Sequence, residues 1–207
     1  MYERVGKRWF DVVVALAGLP VVAAVGMVVS VALKIEDGGP TLYCGQRRGR
    51  DGVPFTILKF RSMVLDAPDL RNADGSTFSG ASDPRVTRVG RFLRRSSLDE
   101  LPQLMNVLRG DMSLVGPRPT MAGRPWEELD ELERKRLRVR PGITGLAQWR
   151  FRNSVSSREK FEADCEYVDG VSLLLDMRIL VGTLTSVVLA RNIHSNELES
   201  GETLRDC

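Results

Sequence analysis

The chain has 207 residues, 43% of them hydrophobic and 28% charged, with a formal net charge of +3 and a pI near 8.9. That is enough apolar material for one core plus an appendage, and an arginine-dominated basic balance suited to phosphates, acidic lipid or nucleic acid. One histidine, His194, and three scattered cysteines, Cys44, Cys165 and Cys207, argue against His-pair metal sites, Ser-His-Asp chemistry and a disulfide framework, so a metal here would be magnesium or manganese held by carboxylates and phosphates.

In chain order, Arg4, Lys7 and Arg8 precede Trp9 and Phe10, and residues 12–33 form a run of 22 positions without a charge. As a helix this run covers roughly 33 Å, enough to span a bilayer. It is long for a cleaved signal peptide, and a buried core helix is the ordinary alternative. Gly18-Leu19-Pro20 sits near its middle, where proline removes a hydrogen bond and bends a helix. Positive charge flanks both ends, which gives no clear orientation. A segment that enters one leaflet, turns at Leu19-Pro20 and returns accommodates both details, and this re-entrant reading is favoured over a span. Residues 1–37 then form the membrane segment with its flank, 38–190 one catalytic domain, and 191–207 a polar tail.

Thr41–Cys44 and Val53–Phe60 read as a hairpin closed by Gly49-Arg50-Asp51-Gly52. A regular second strand would point Lys59 and Arg61 the same way, able to hold a diphosphate; a solvated edge explains them equally well. Residues 66–84 read as a mobile loop, a candidate lid with no further signal. The basic run 86–95 predicts a helix with Phe92 and Leu93 inward and its arginines outward, either solvated or against anionic headgroups.

Ser97-Leu98-Asp99-Glu100-Leu101-Pro102-Gln103 places two adjacent carboxylates after that run. Paired acids in positive surroundings suit phosphate chemistry with a divalent metal, and they equally suit a helix start. Pro102 argues against Ser97 as N-cap and favours Asp99, which would put the proline in the first turn. A helix follows to Gly110. Arg118 stands between Pro117 and Pro119, on a stiff segment prepared for bidentate phosphate contact or simply a proline-rich turn. Residues 127–140 predict a solvated, charged helix with Asp130–Arg134 and Glu131–Lys135 pairs. Pro141 to Gln148 is a glycine-rich loop without the ending of a P-loop. Residues 171–189 predict an apolar helix, interrupted by Asp176 and Arg178, which lies in a membrane interface or packs on the core. The fold class is α+β and mostly helical.

Four stretches in one order, Lys59-Phe60-Arg61-Ser62-Met63, Ser97 to Gln103, Gly116-Pro117-Arg118-Pro119 and Pro141 to Gln148, follow an apolar segment with a central proline. Together they resemble the bacterial sugar transferases, the small monotopic polyprenyl-phosphate phosphoglycosyl transferases, over roughly residues 7–189. The resemblance implies a re-entrant membrane helix and an active site at the cytoplasmic face of the bacterial inner membrane. It implies a ping-pong reaction with Mg2+: Asp99 as nucleophile on a UDP-sugar, releasing UMP, and polyprenyl (undecaprenyl) phosphate as acceptor of the phosphosugar. Glu100 would be the magnesium-binding neighbour, with Asp99 beside it. Lys59, Arg61, Arg118, Gln148 and Arg152 would hold substrate. Leu19 replaces the serine usual before the central proline, and Trp149-Arg150-Phe151 departs from the family pattern. A non-catalytic membrane-anchored scaffold is the second hypothesis. A nucleic-acid binder is disfavoured by the apolar segment and the lack of aromatic interleaving. Apolar segments near both ends leave a homodimer open.

Overall fold

The computed structural model describes residues 2–70, 83–151 and 155–188. The expected loop at 66–84 lies largely outside these residues, as do Arg152 and the tail from 191.

Lys7–Glu36 form one helix, α1, that continues through Pro20, so the expected turn at Leu19-Pro20 does not break it: the proline costs one hydrogen bond and the flanking turns carry the helix on. Its buried positions, Lys7, Asp11, Ala15, Val29 and Leu33, recur at helical spacing and make one face. A Cβ on Gly18 would meet Leu104, and one on Gly26 would touch Phe60, so the middle of the same face also approaches the domain. The rest of the helix is apolar and exposed, with Trp9 69%, Val28 70% and Ile35 81% accessible. One stripe faces protein along the length of the helix, and the remaining surface has the composition of a helix in lipid.

Leu42–Arg48 (β1) and Pro54–Phe60 (β2) form an antiparallel hairpin, with Tyr43 opposite Lys59. Asp51 and Gly52 both take positive φ in the connecting turn. The basic segment becomes α2, Arg88–Arg95, capped by Thr87 and, from α1, by Glu36, which accepts from the Arg88 and Val89 amides. Leu93 is fully buried as expected, but Phe92 is 64% exposed. It shares the outer face with Arg88, Arg91 and Arg95 because i, i+3, i+4 and i+7 lie on one side of a helix.

A single 3-10 turn, Leu98–Glu100, precedes α3, Gln103–Arg109. Neither expected cap is present. Ser97 is left-handed with φ 56° and makes no side-chain cap, and Pro102 itself occupies the N-cap of α3. The proline is tolerated because α3 starts after it, so no helical hydrogen bond is lost. The two carboxylates therefore sit on a turn before the helix rather than at its mouth.

Ser113–Val115 (β3) pairs in parallel with Gly142–Thr144 (β4), so part of the glycine-rich loop is a strand. The charged segment is shorter than expected. A 3-10 turn at Trp126–Glu128 leads to α4, Glu131–Arg136, whose Asp130 and Glu133 form a capping box. Asp130 is thus spent on the cap, and Lys135 pairs with Asp169 rather than Glu131. The helices α5 (Leu146–Phe151), α6 (Ser157–Asp169) and α7 (Leu173–Val188) complete the order.

Two apolar clusters organise this arrangement. The larger joins Ala15, Phe55, Ile57, Val107, Leu114, Leu146, Tyr167 and Ile179. The smaller joins Val29 and Leu33 of α1 to Phe60 and Leu93, with Leu98 and Leu101 against it. Of the two placements expected for α7, packing on the core is realised on one face. Ile179 is buried in the core, while Leu173, Leu174, Met177, Val181 and Leu184 are exposed. Asp176, fully buried, explains the interruption: it accepts from Lys7, Tyr2 and Tyr167 and locks α7 to the start of α1.

Candidate active site

The acidic turn is held from two sides. Leu98 and Leu101 anchor it in the smaller cluster, and Asn106 of α3 ties it to the hairpin. Asn106 is fully buried; its Oδ1 accepts from the Leu58 amide and its Nδ2 donates to the Thr56 carbonyl. These two bonds set β2 beside α3 and bring Lys59 to Glu100. Lys59 Nζ donates to Glu100 Oε1 at 2.7 Å, and Arg118 Nη2 donates to the same oxygen at 3.1 Å. Segments 41 and 18 residues away in sequence thus converge on one carboxylate.

Arg118 is positioned by its backbone. Arg136 of α4 donates through Nη2 to the Arg118 carbonyl at 2.6 Å and through Nε and Nη2 to Asp164 Oδ2 of α6. The neighbouring loop is held just as closely. Gly116 N–H donates to Thr144, and Gly142 N–H to Pro117. A Cβ at Gly142 would lie 2.1 Å from Gly116 N, and one at Gly145 would lie 2.2 Å from Gly116 O. The glycines of Pro141 to Gln148 therefore let one backbone pack on the Gly116-Pro117 backbone, and the motif positions Arg118.

The two acids have opposite electrostatics. Burial would raise Glu100, but Arg118 and Lys59 outweigh it and hold its carboxyl down to about 2. Asp99, 9% exposed, has no hydrogen bond or ion pair among the described residues. Burial pushes its carboxyl up, opposed by the Lys59 charge and reinforced by Glu100. Burial likewise lowers Lys59, opposed by Glu100, while Glu100 raises Arg118. Arg94, which donates to Ser62 Oγ, is a third cation whose field reaches Asp99. The site is thus a paired anion, an unpaired carboxylate and three cations.

Not every expected residue joins it. Arg61 diverges from Lys59 because β2 ends at Phe60 and the alternation ends with it. Its guanidinium is bidentate to Asp37 and donates to the Pro40 carbonyl, stapling the end of α1 to the hairpin. Gln148 donates to Ile143 within its own loop, and its Oε1 is buried without a partner. Asn106, Arg94 and Arg136 were not singled out from sequence. An asparagine inside an apolar helical run was the one available signal for Asn106. Arg136 and Arg94 read as members of solvated basic stretches.

Asp99 and Glu100 fit a hard divalent cation. Asp99 is unpaired, and only Oε1 of Glu100 is taken. Magnesium characteristically uses one or two carboxylates and completes its shell with water and substrate phosphates. Among the described residues no three acidic, histidine or cysteine side chains cluster as a closed metal cage.

Residues 2–190 match the bacterial sugar transferase family model. The chain belongs to the bacterial sugar transferase family. It is 41% identical to a UDP-glucose:undecaprenyl-phosphate glucose-1-phosphate transferase of Caulobacter vibrioides, covering 91% of this chain and 72% of the relative. It is 40% identical to an undecaprenyl-phosphate glucose phosphotransferase of Komagataeibacter xylinus, and 37% identical to a galactosyl transferase of Streptococcus agalactiae. Those alignments cover 92% and 89% of this chain but only 37% and 42% of the two relatives.

Proposed function

We propose that the protein is a phosphoglycosyl transferase that moves a phosphosugar from a UDP-sugar to undecaprenyl phosphate in the synthesis of an exopolysaccharide or related glycoconjugate. The observation that carries this reading is the unpaired Asp99 carboxylate beside a Glu100 already neutralised by Lys59 and Arg118. An unsatisfied carboxylate in cationic surroundings is a costly arrangement for structure alone and a ready nucleophile for phosphorus.

In the first half-reaction an Asp99 oxygen forms a bond to the sugar-linked phosphorus, the bond to the bridging oxygen breaks, and UMP leaves with the electron pair. In the second, an oxygen of undecaprenyl phosphate attacks that phosphorus and the Asp99 carboxylate is released. Lys59 and Arg118 steer and neutralise the phosphates, and Glu100 holds both cations in place beforehand. Asp99 and Glu100 would hold a Mg2+, and that ion would supply positive charge to offset the charge that develops on the leaving phosphate.

The proposed membrane placement is supported by α1. Its protein-facing stripe touches the domain from Lys7 to Leu33, so both ends of the helix lie on the domain's side. This contact supports a helix that lies in one leaflet without crossing, and the proposed site is at the cytoplasmic interface. UMP release, assayed across UDP-sugars with magnesium and undecaprenyl phosphate, tests the function. Turnover with one or more donors supports it; UMP release by the Asp99→Asn variant at the wild-type rate overturns it.

A further inference from the structure

Away from the acidic turn, at the opposite end of α3, a small polar cavity of about 40 Å3 is lined by Lys7, Arg8, Asp11, Arg50, Ser113 and Arg140. About 10 Å of helix separates it from Pro102. Four cations against one carboxylate crowd this space. Lys7 is neutralised by Asp176, and Asp11 accepts from the Leu114 amide. Arg8 donates to the Val107 and Leu108 carbonyls and Arg140 through Nε to Gly110. Each guanidinium has five N–H donors, so both keep donors to spare. Ser113, 1% exposed, faces the Asp11 carboxylate across this space. Burial, and then the Arg8 and Arg50 charges, push the Arg140 guanidinium down. The donors that Arg8 and Arg140 keep suit an anion.

Arg8 also borders an apolar groove of about 330 Å3 with Val5, Trp9 and Val12. One guanidinium thus joins a basic recess to an apolar channel on the lipid-facing side of α1. A sugar nucleotide or free phosphate has no use for the channel, and an apolar peptide none for the recess, while the phosphate of the polyprenyl acceptor has to reach Asp99 at the other end of α3. Basic pockets at a membrane surface bind lipid headgroups. We propose that the start of α1 and the end of α3 form a site for one anionic phospholipid, its phosphodiester in the recess and an acyl chain along Trp9. The proposal rests on the membrane placement given above.

The test is native mass spectrometry of the full chain equilibrated with vesicles of equal parts phosphatidylglycerol and phosphatidylcholine. One phosphatidylglycerol per protein is expected to remain bound. Arg50→Gln is expected to lower that retention about fivefold, and Arg50→Gln with Arg140→Gln about thirtyfold. Arg50 pairs with its exposed neighbour Asp51, so its single variant keeps the test informative if loss of the Arg140 bond to Gly110 unfolds the protein. Arg91→Gln with Arg95→Gln, an equal charge change on the exposed face of α2, is expected to leave retention unchanged. Equal retention of the two lipids, an equal loss in the α2 control, or capture of added inorganic phosphate without lipid would each overturn the site. Failure of the wild type to partition into these vesicles would overturn the membrane placement as well, and is distinguishable from the others.

Discussion

Asp176 and Asp99 are both buried aspartates facing cations, and they are finished differently. Asp176 is fully buried, and both its oxygens are taken: Oδ2 by Tyr2 at 2.6 Å and Lys7 at 2.7 Å, Oδ1 by Tyr167 at 2.7 Å. Asp99 has cations around it but no partner, because Glu100 has drawn Lys59 and Arg118 to itself. Burying a charge is tolerable when it is paired and hydrogen-bonded. The saturated aspartate fastens α7 to α1. The unsaturated one leaves an oxygen available to a substrate.

The comparison is sharpest under substitution. Asp99→Asn should lower the rate of UMP release about 10,000-fold, with circular dichroism and melting behaviour of a folded protein. Asp176→Asn should do the reverse, costing about 3–5 kcal/mol of stability by leaving Lys7 buried without its counter-ion, as read from denaturant or thermal unfolding. At a temperature where this variant is folded, it should still turn over.

Arg118→Lys should cost about 10- to 100-fold in kcat/KM, since an ammonium cannot supply the fixed fork of a guanidinium. Steady-state kinetics with the UDP-sugar checks this. A smaller effect separates Asp99 from Glu100 by pH. The Glu100 pKa is lowered to about 2, so it contributes stability above its ordinary range near 4.5, lost as pH falls toward 2. The Asp99 pKa is raised, so its sign is opposite: its contribution is favourable below the ordinary aspartate value and is lost as pH rises through the folded value. Asp99→Asn should therefore be somewhat more stable than wild type at neutral pH, and the advantage should vanish in acid. The acid limb of kcat/KM should lie above the ordinary aspartate range, because the nucleophile must be ionised.

Local chemistry made much of this legible. The charge-free run predicted α1, the turn glycines predicted the hairpin, and the adjacent acids after a basic run marked the site. What could not be read depended on where elements end and on what lies across from them. Arg61 left the Lys59 face because β2 stops one residue earlier. Pro102 was placed inside a helix that begins after it. Phe92 was assigned inward from hydrophobicity, but Gly90 and Leu93 take the buried positions of α2. Arg136 looked solvated because its partners, the Arg118 carbonyl and Asp164, are 18 and 28 residues away. The glycine-rich loop was visible as a motif, but its purpose, close packing on Gly116-Pro117, requires both strands of the parallel pair.

The most direct test of the central assignment is a single-turnover reaction of protein, magnesium and UDP-sugar without any polyprenyl phosphate, followed by intact-mass and peptide analysis. The account predicts one UMP released per active protein and a phosphosugar mass on the peptide carrying Asp99. No UMP without the acceptor, or the added mass on a peptide lacking Asp99, would contradict it.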